Sequence, residues 1–197
     1  MPRPNQTDEQ RKRLLPIVCQ VFSELGYRRT TTAQLAERCG VRENILYRLW
    51  PDKKAMFLAA IDDIFQQRTD MWSQLLADDP SPGDAVARLV AYEAKHQGEF
   101  GFYRVVFTAL AETDDADIRS ALKGMYRHFQ QLVKRHVVEG RGGERQSFGL
   151  SADAAAWALI GLATVSNIVR ELELLGPRQR EQMFAAVGKH LVEEDTD

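Results

Sequence analysis

Apolar residues recur along this chain at intervals of three and four, and no stretch alternates convincingly, so the pattern predicts helices throughout. Leu14, Val18, Val21, Phe22 and Leu25 form the apolar stripe of a first helix. Thr7 with Gln10 has capping-box spacing at its start, and Gly26 ends it. Pro16 falls inside this pattern and is expected to kink or fray the first turns. Thr31 with Gln34 is a second capping box, opening a short helix that stops at Gly40, and a third short helix spans about 43–49. Asp52 can cap a fourth helix carrying Met56, Phe57, Ala60, Ile64, Met71 and Leu75 toward the breaker "DDPSPGD". Five more helices are expected near 84–97, 99–111, 114–138, 151–175 and 177–193. The fold class is all-α, with about nine helices in two packed units and the fourth helix continuing from one into the other. The Gly-rich connector "EGRGGERQSFG" holds Arg141 and Arg145, read as solvated loop charges rather than a phosphate cradle.

The segment "ADAAAWALIGLATVSNIVREL" is apolar almost all round. One stripe holds Trp157, Ile160, Gly161, Thr164 and Ile168, and another Ala158, Leu162, Val165, Val169 and Leu172. A helix apolar on both sides must be buried on both sides. One side can face the core and the other a second copy of the chain, with Trp157, Leu162, Val165, Val169 and Leu172 as candidate interface. The alternative is the central helix of a monomer. Aromatic residues cluster in the same region: Trp72, Tyr92, Phe100, Phe102, Tyr103, Phe107, Tyr126, Phe129 and Trp157. Most are expected in the core. Candidates for a pocket lining are Trp72, Tyr92, His96, Tyr103, Phe107, Tyr126, Phe129 and Asn167, with His128 as a further polar contact. Such a lining suits an apolar or aromatic small molecule, and Glu93, Glu99 and Glu112 leave a cationic one open.

Composition narrows the function classes. The 197 residues are 44% hydrophobic and 27% charged, the proportions of an ordinary globular chain. No apolar run is expected to span a membrane, and the first residues, "MPRPNQTDEQRKR", lack a signal-peptide core. Cys19 and Cys39 are too few for a disulfide framework and lie on apolar helix faces, so both are read as core residues of a cytoplasmic protein. No Cys/His cluster has metal-ligand spacing, and no nucleophile–base set or phosphate loop marks an enzyme, so no metal, cofactor or catalytic residue is expected. The net charge of −2 hides a split. Through Leu58 there are 11 Lys and Arg against 6 Asp and Glu, and from Ala59 onward 15 against 22. A basic end on an acidic chain suggests that this end meets a polyanion.

The basic end carries a spacing with mechanical meaning. Two short helices that cross steeply need a small residue at their contact, a residue tolerant of positive φ in the turn, and apolar residues inside the second helix. Ala36, Gly40 and Leu46 satisfy these needs in order, with Leu35, Cys39 and Val41 completing the inner face. At about 100° per residue, Glu43, Asn44, Tyr47 and Arg48 share the outward side of the third helix, with Ile45 at its edge. Thr31 and Thr32 stand at a helix start, where hydroxyl and backbone N–H groups suit phosphate. Arg28, Arg29, Arg42, Lys53 and Lys54 flank the motif as a phosphate-tracking surface would. Asn44 and Arg48 are the expected base readers.

The stretch "GYRRTTTAQLAERCGVRENILYRLWPDKKAMFLAAI" resembles the N-terminal DNA-binding domain of the tetracycline-repressor (TetR) family of bacterial transcriptional regulators. Gly26, Thr31, Leu35–Ala36, Gly40–Val41, Leu46–Tyr47, Trp50 and Lys53 carry the match, over about residues 7–62. The resemblance implies a homodimeric repressor that reads an inverted repeat in double-stranded operator DNA and answers to a small-molecule effector. It implies a helix-turn-helix DNA-binding domain at 1–62 and a helical ligand-binding and dimerisation domain at 63–197. Thr31, Tyr47 and Lys53 fall where the family grips phosphates, and residues 42–48 fall on its recognition segment. Arg42, Asn44, Ile45, Leu49 and Trp50 depart from the residues frequent at those positions, so the operator of relatives does not carry over. Leu49 is ambiguous between core and DNA. Two rivals stand beside this reading: a structural DNA-binding protein without an effector, and a helical enzyme or carrier with a vestigial motif.

Overall fold

The computed structural model describes residues 6–77, 85–96, 102–143 and 149–192. Among them the regular elements are helices: α1 Gln6–Leu25, α2 Thr32–Cys39, α3 Glu43–Leu49, α4 Lys53–Ala77, α5 Ala85–His96, α6 Phe102–Leu110, α7 Ala116–Gly140, α8 Ala152–Glu171 and α9 Pro177–Val192. The all-α expectation holds, with order and approximate bounds as the periodicity predicted. Phe100, Glu99 and Arg145 lie outside the described residues.

The helices sort into two compact units. The first takes the described residues through Arg68 together with α6 and the first turns of α7, to Met125. The second takes α4 from Thr69, α5, α7 from Tyr126, α8 and α9. α4 and α7 therefore contribute residues to both.

In the first unit α1 packs on α2, α3 and α6, and α2 on α3. Leu14, Val18, Phe22, Leu35, Leu46, Met56 and Phe57 are at most 1% exposed. Each such side chain contributes roughly 1.5–3 kcal/mol on leaving water. Phe22 and Phe57 meet edge-on at 4.9 Å, and Tyr27 lies against Phe57 at 4.8 Å. Pro16 stays inside a continuous α1, and Thr7 also lies within it, so Thr7 is not the cap that its spacing suggested. Gly26 takes a left-handed φ of 75° where α1 ends, as expected.

The second unit is centred on Val90, Ala94, Val133, Val137, Ala152, Ala155, Ala156, Leu159 and Phe184, with Trp72, Val138, Leu162, Ala163 and Leu191 packed against them. α9 lies directly on α5, and Gly188 permits this: a Cβ there would come within 2.6 Å of Val90 Cγ1. Arg141 overturns its reading as a solvated loop charge. It is 1% exposed and donates through Nη1 to the Leu150 carbonyl at 3.0 Å and through Nη2 to the Leu191 carbonyl at 2.6 Å. A guanidinium can be buried when its fork finds carbonyls, and here it ties the connector before α8 to the end of α9.

α8 is long and apolar enough to cross a membrane, against the expectation that no segment would be. One side of it, Ala152, Ala155, Ala156, Leu159 and Ser166, is buried within the unit. Packing into the unit's core accounts for the apolarity of that side.

Candidate nucleic-acid interface

Local chemistry sets the turn between α2 and α3. Thr31 caps α2 in extended conformation, its hydroxyl accepting from the Gln34 N–H at 3.2 Å, while its own N–H donates to Gln34 Oε1 at 2.9 Å. The capping box is thus complete. At the other end Gly40 has φ 64°, ψ 32°, a left-handed conformation costly for a side chain with Cβ. Val41 N–H then donates to the Ala36 carbonyl at 3.0 Å, closing the turn. Leu35, Ala36, Cys39 and Leu46 point inward as the spacing required. Leu49 is 2% exposed and Trp50 4%, so the ambiguity over Leu49 resolves in favour of the core.

The outward face of α3 presents Glu43, Asn44, Tyr47 and Arg48, all exposed, with Ile45 half-buried at the edge. Thr32, on the first turn of α2, joins them. Its hydroxyl donates to Glu43 Oε2 at 2.7 Å and accepts from the Tyr47 hydroxyl at 3.1 Å. Arg48 donates to Gln10 Oε1 at 2.8 Å. Asn44 and Arg42 are exposed and make no side-chain hydrogen bond among the described residues.

The flanking cations are less open than the sequence suggested. Arg28 is 74% exposed but shares its Nε–H between the two carboxylate oxygens of Glu112 at 2.8 and 3.0 Å. Arg29 donates to the Leu25 carbonyl at 3.0 Å. Lys53 turns back onto the Tyr27 and Thr30 carbonyls at 3.0 and 2.9 Å, its ammonium 4.5 Å from the Tyr27 ring centre. Lys54 bonds Asp117 and, at 3.3 Å, Asp115; the hydrogen bond to Asp117, then that to Asp115, pushes its pKa up.

Several contributors were missed by sequence reasoning. Arg11 donates to the Leu49 carbonyl and places its guanidinium 5.8 Å from the Trp50 ring centre, securing the end of α3. Gln10 positions Arg48. The acidic run "ETDDAD" (112–117) supplies the partners of Arg28 and Lys54; its charge was visible, but its neighbours were not.

The candidate pocket residues divide between the units. Tyr103 and Phe107 meet edge-on at 5.8 Å in the first. In the second, Trp72 tilts against Phe129 at 5.5 Å and donates to the buried Glu93 at 2.7 Å. Tyr92 stacks on His96 at 4.4 Å and donates to the Met71 sulfur. Tyr126 bonds Thr164, and burial pushes its phenol pKa up. Asn167 donates to the Ala163 carbonyl at 2.9 Å, leaving its buried Oδ1 without a hydrogen bond. Of the candidate interface residues on α8, Trp157, Val165 and Leu172 are exposed by 45%, 47% and 62%, joined on that face by Ile168. Val169 is half-buried, and Leu162 packs on the unit's own core.

Residues 19–60 match the model of the bacterial regulatory proteins of the tetR family. The nucleoid occlusion factor SlmA of Haemophilus ducreyi is 39% identical over 69 residues, which cover 35% of this chain and 34% of that protein. SlmA of Mannheimia succiniciproducens is 44% identical over 57 residues, 28% of this chain and 26% of that protein. The chain thus spans about a third or less of the length of the curated relatives it matches. Whole-chain likeness appears among solved structures. A TetR-family transcriptional regulator from Cytophaga hutchinsonii superposes with a TM-score of 0.81 at 13% identity, covering 99% of this chain and 100% of that one. A putative transcriptional regulator from Saccharomonospora viridis in complex with choline gives 0.79 at 19%, covering 93% and 97%. Escherichia coli NemR in its reduced form gives 0.75 at 19%, covering 92% and 97%. Residues 19–60 thus match the tetR-family DNA-binding segment, and the described chain shares its fold with solved TetR-family regulators.

Proposed function

We propose that this protein is a ligand-responsive transcriptional regulator, a repressor that binds an inverted-repeat operator as a homodimer. The observation that carries the reading is the exposed outward face of α3 beside the capped start of α2. A short helix that buries Leu46 and Leu49 while offering Glu43, Asn44, Tyr47 and Arg48 to solvent is built to enter a major groove. The apolar face of α8, with Trp157, Val165, Ile168 and Leu172, supports pairing with a second copy. Two reading helices related by a two-fold axis demand half-sites about one helical turn apart or a multiple of it. The aromatic residues of the second unit, Trp72, Tyr92, Tyr126 and Phe129, support an apolar or aromatic effector. The choline held by one structural neighbour supports a small organic molecule as occupant of this fold.

Selection from a pool of randomised duplex DNA tests the reading. The expected product is an inverted repeat bound by two protomers, with sedimentation giving a dimer in the absence of DNA. An effector found by titration against Trp72 fluorescence must bind more weakly with operator present, by the same factor by which it weakens the operator complex. Recovery of no preferred sequence would sink the regulator reading.

A further inference from the structure

The hydrogen-bonded chain across the face of α2 and α3 has a direction. A carboxylate only accepts, so the Thr32 proton is committed to Glu43 Oε2 at 2.7 Å. The Thr32 oxygen in turn accepts the Tyr47 proton at 3.1 Å. Both hydroxyl protons therefore run inward to one carboxylate. Thr32 and Tyr47 are also the hydroxyls expected to donate to DNA phosphate, and each has a single proton to give. Either hydroxyl that turns to a phosphate weakens the chain, and when Thr32 turns Glu43 loses its donor. An anion stripped of its donor beside a polyanion is costly unless another donor takes over. Among base edges in the major groove, the donors are the exocyclic amino groups of cytosine (N4) and adenine (N6). Guanine and thymine offer O6, N7 and O4, which are acceptors and repel a carboxylate.

We propose that Glu43 is a specificity-determining residue: it releases the Thr32 hydroxyl to a phosphate only where an exocyclic amino group of a base replaces Thr32 as its donor. This role rests on the DNA-reading function above and assigns to Glu43 a part separate from those of Asn44 and Arg48. Phosphate grip and base identity become linked through one side chain. Affinity at a site with the wrong base falls twice, through the repelled carboxylate and through a Thr32 hydroxyl that stays turned inward.

The test uses the full-length protein in three forms, native, Glu43→Ala and Glu43→Gln, each put through selection from randomised duplex DNA. Anisotropy titrations follow on duplexes differing at one position. The native protein is expected to enrich cytosine or adenine at one position per half-site, and the two duplexes tell which amino group is read. Guanine or thymine there should weaken binding by roughly 5- to 150-fold. Glu43→Ala should flatten that position alone. Glu43→Gln still accepts from Thr32 but carries an amide that pairs with adenine, so a native cytosine preference should shift to adenine and a native adenine preference should persist. An unchanged preference in Glu43→Ala overturns the proposal. So does a silent Glu43→Gln with Glu43→Ala weakening all sequences alike, because Glu43 would then only hold Thr32 in place. If the native protein enriches no sequence, the DNA-reading function itself falls; a clear native site with an unmoved position in the variants removes only the role of Glu43.

Discussion

Replacing Lys53 by methionine separates two roles that one side chain can play. The sequence reading made Lys53 a phosphate contact, whereas the structure gives its ammonium two partners within the protein, the Tyr27 and Thr30 carbonyls at 3.0 and 2.9 Å. These carbonyls belong to the turn between α1 and α2, so Lys53 ties the start of α4 to that turn. Methionine keeps the stem against the Tyr27 ring and removes only the charge. A hydrogen bond to a charged group is worth roughly 1.5–3 kcal/mol. Lys53 is half-buried, and water can serve the carbonyls once the ammonium is gone, so the pair together should cost about 2 kcal/mol. For a chain of this size that lowers the melting temperature by roughly 4–8 °C. Thermal denaturation followed by circular dichroism reads the stability. Salt-dependent operator titration reads the other role, since the third N–H remains for a phosphate and its loss should flatten the salt slope by about one unit. If Lys53→Met melts at the native temperature while binding DNA more weakly, the internal clamp contributes nothing and the reasoning from the free structure is wrong.

Further outcomes follow from α8 and from the thiols. Val165→Arg places a charge on the exposed face and should yield a monomer in sedimentation at micromolar concentration with folding retained; Leu162→Ala, on the core side, should leave a dimer while costing about 2 kcal/mol in denaturant unfolding. A dimer in Val165→Arg would place the partner elsewhere. Burial, and then the charge and hydrogen bond of Asp63 3.6 Å away, push the Cys19 thiol well above its ordinary pKa, and burial pushes Cys39 up as well. Neither should be alkylated by iodoacetamide at pH 8 until the protein is unfolded, because the reactive thiolate is scarce in both; rapid labelling of the native protein, read by mass spectrometry, would contradict this.

The legible part of the fold was the part written in local terms. Capping at Thr31 and Gln34, the left-handed turn at Gly40 and the inward stripe of Leu35, Ala36 and Leu46 depend on residues within a few positions of one another, and each appears as the spacing required. Arg141 shows where that logic stops. Its chemical neighbourhood in sequence is glycine and glutamate, yet its partners are the carbonyl of Leu150 and, fifty residues on, that of Leu191. Arg28 and Lys54 likewise read as open cations because Glu112, Asp115 and Asp117 are distant along the chain. Charge composition announced a surface for a polyanion but could not say which cations were already paired. The same limit divides the pocket candidates: Tyr103 and Phe107 share a composition with Trp72 and Phe129, and only tertiary packing assigns them to different units.

α8 carries the argument one step further. Neither predicted stripe is the buried side: the core takes Ala152, Ala155, Ala156, Leu159 and Ser166, and the exposed face draws on both stripes. The neighbours decide: Ala152, Ala155, Ala156 and Leu159 meet Val133, Val137 and Phe184, small residues against larger ones, as close packing demands. That choice turns the other side outward, where Trp157, Val165, Ile168 and Leu172 stand between 38% and 62% exposed. Leu162 is partly buried against the unit's own core, unlike Val165 and Leu172 of the stripe in which its spacing placed it. Apolar side chains gathered on one exposed face mark an interaction surface. A second copy of the same helix supplies a complementary surface without any further partner, since a two-fold axis sets each residue of the stripe against its own counterpart or that counterpart's neighbour. In the proposed homodimer one two-fold axis relates both the α8 helices and the two reading helices. A variant that breaks the α8 pairing must loosen the pairing of the reading helices, and Val165→Arg should therefore lose affinity for an inverted repeat while retaining weak binding to a single half-site.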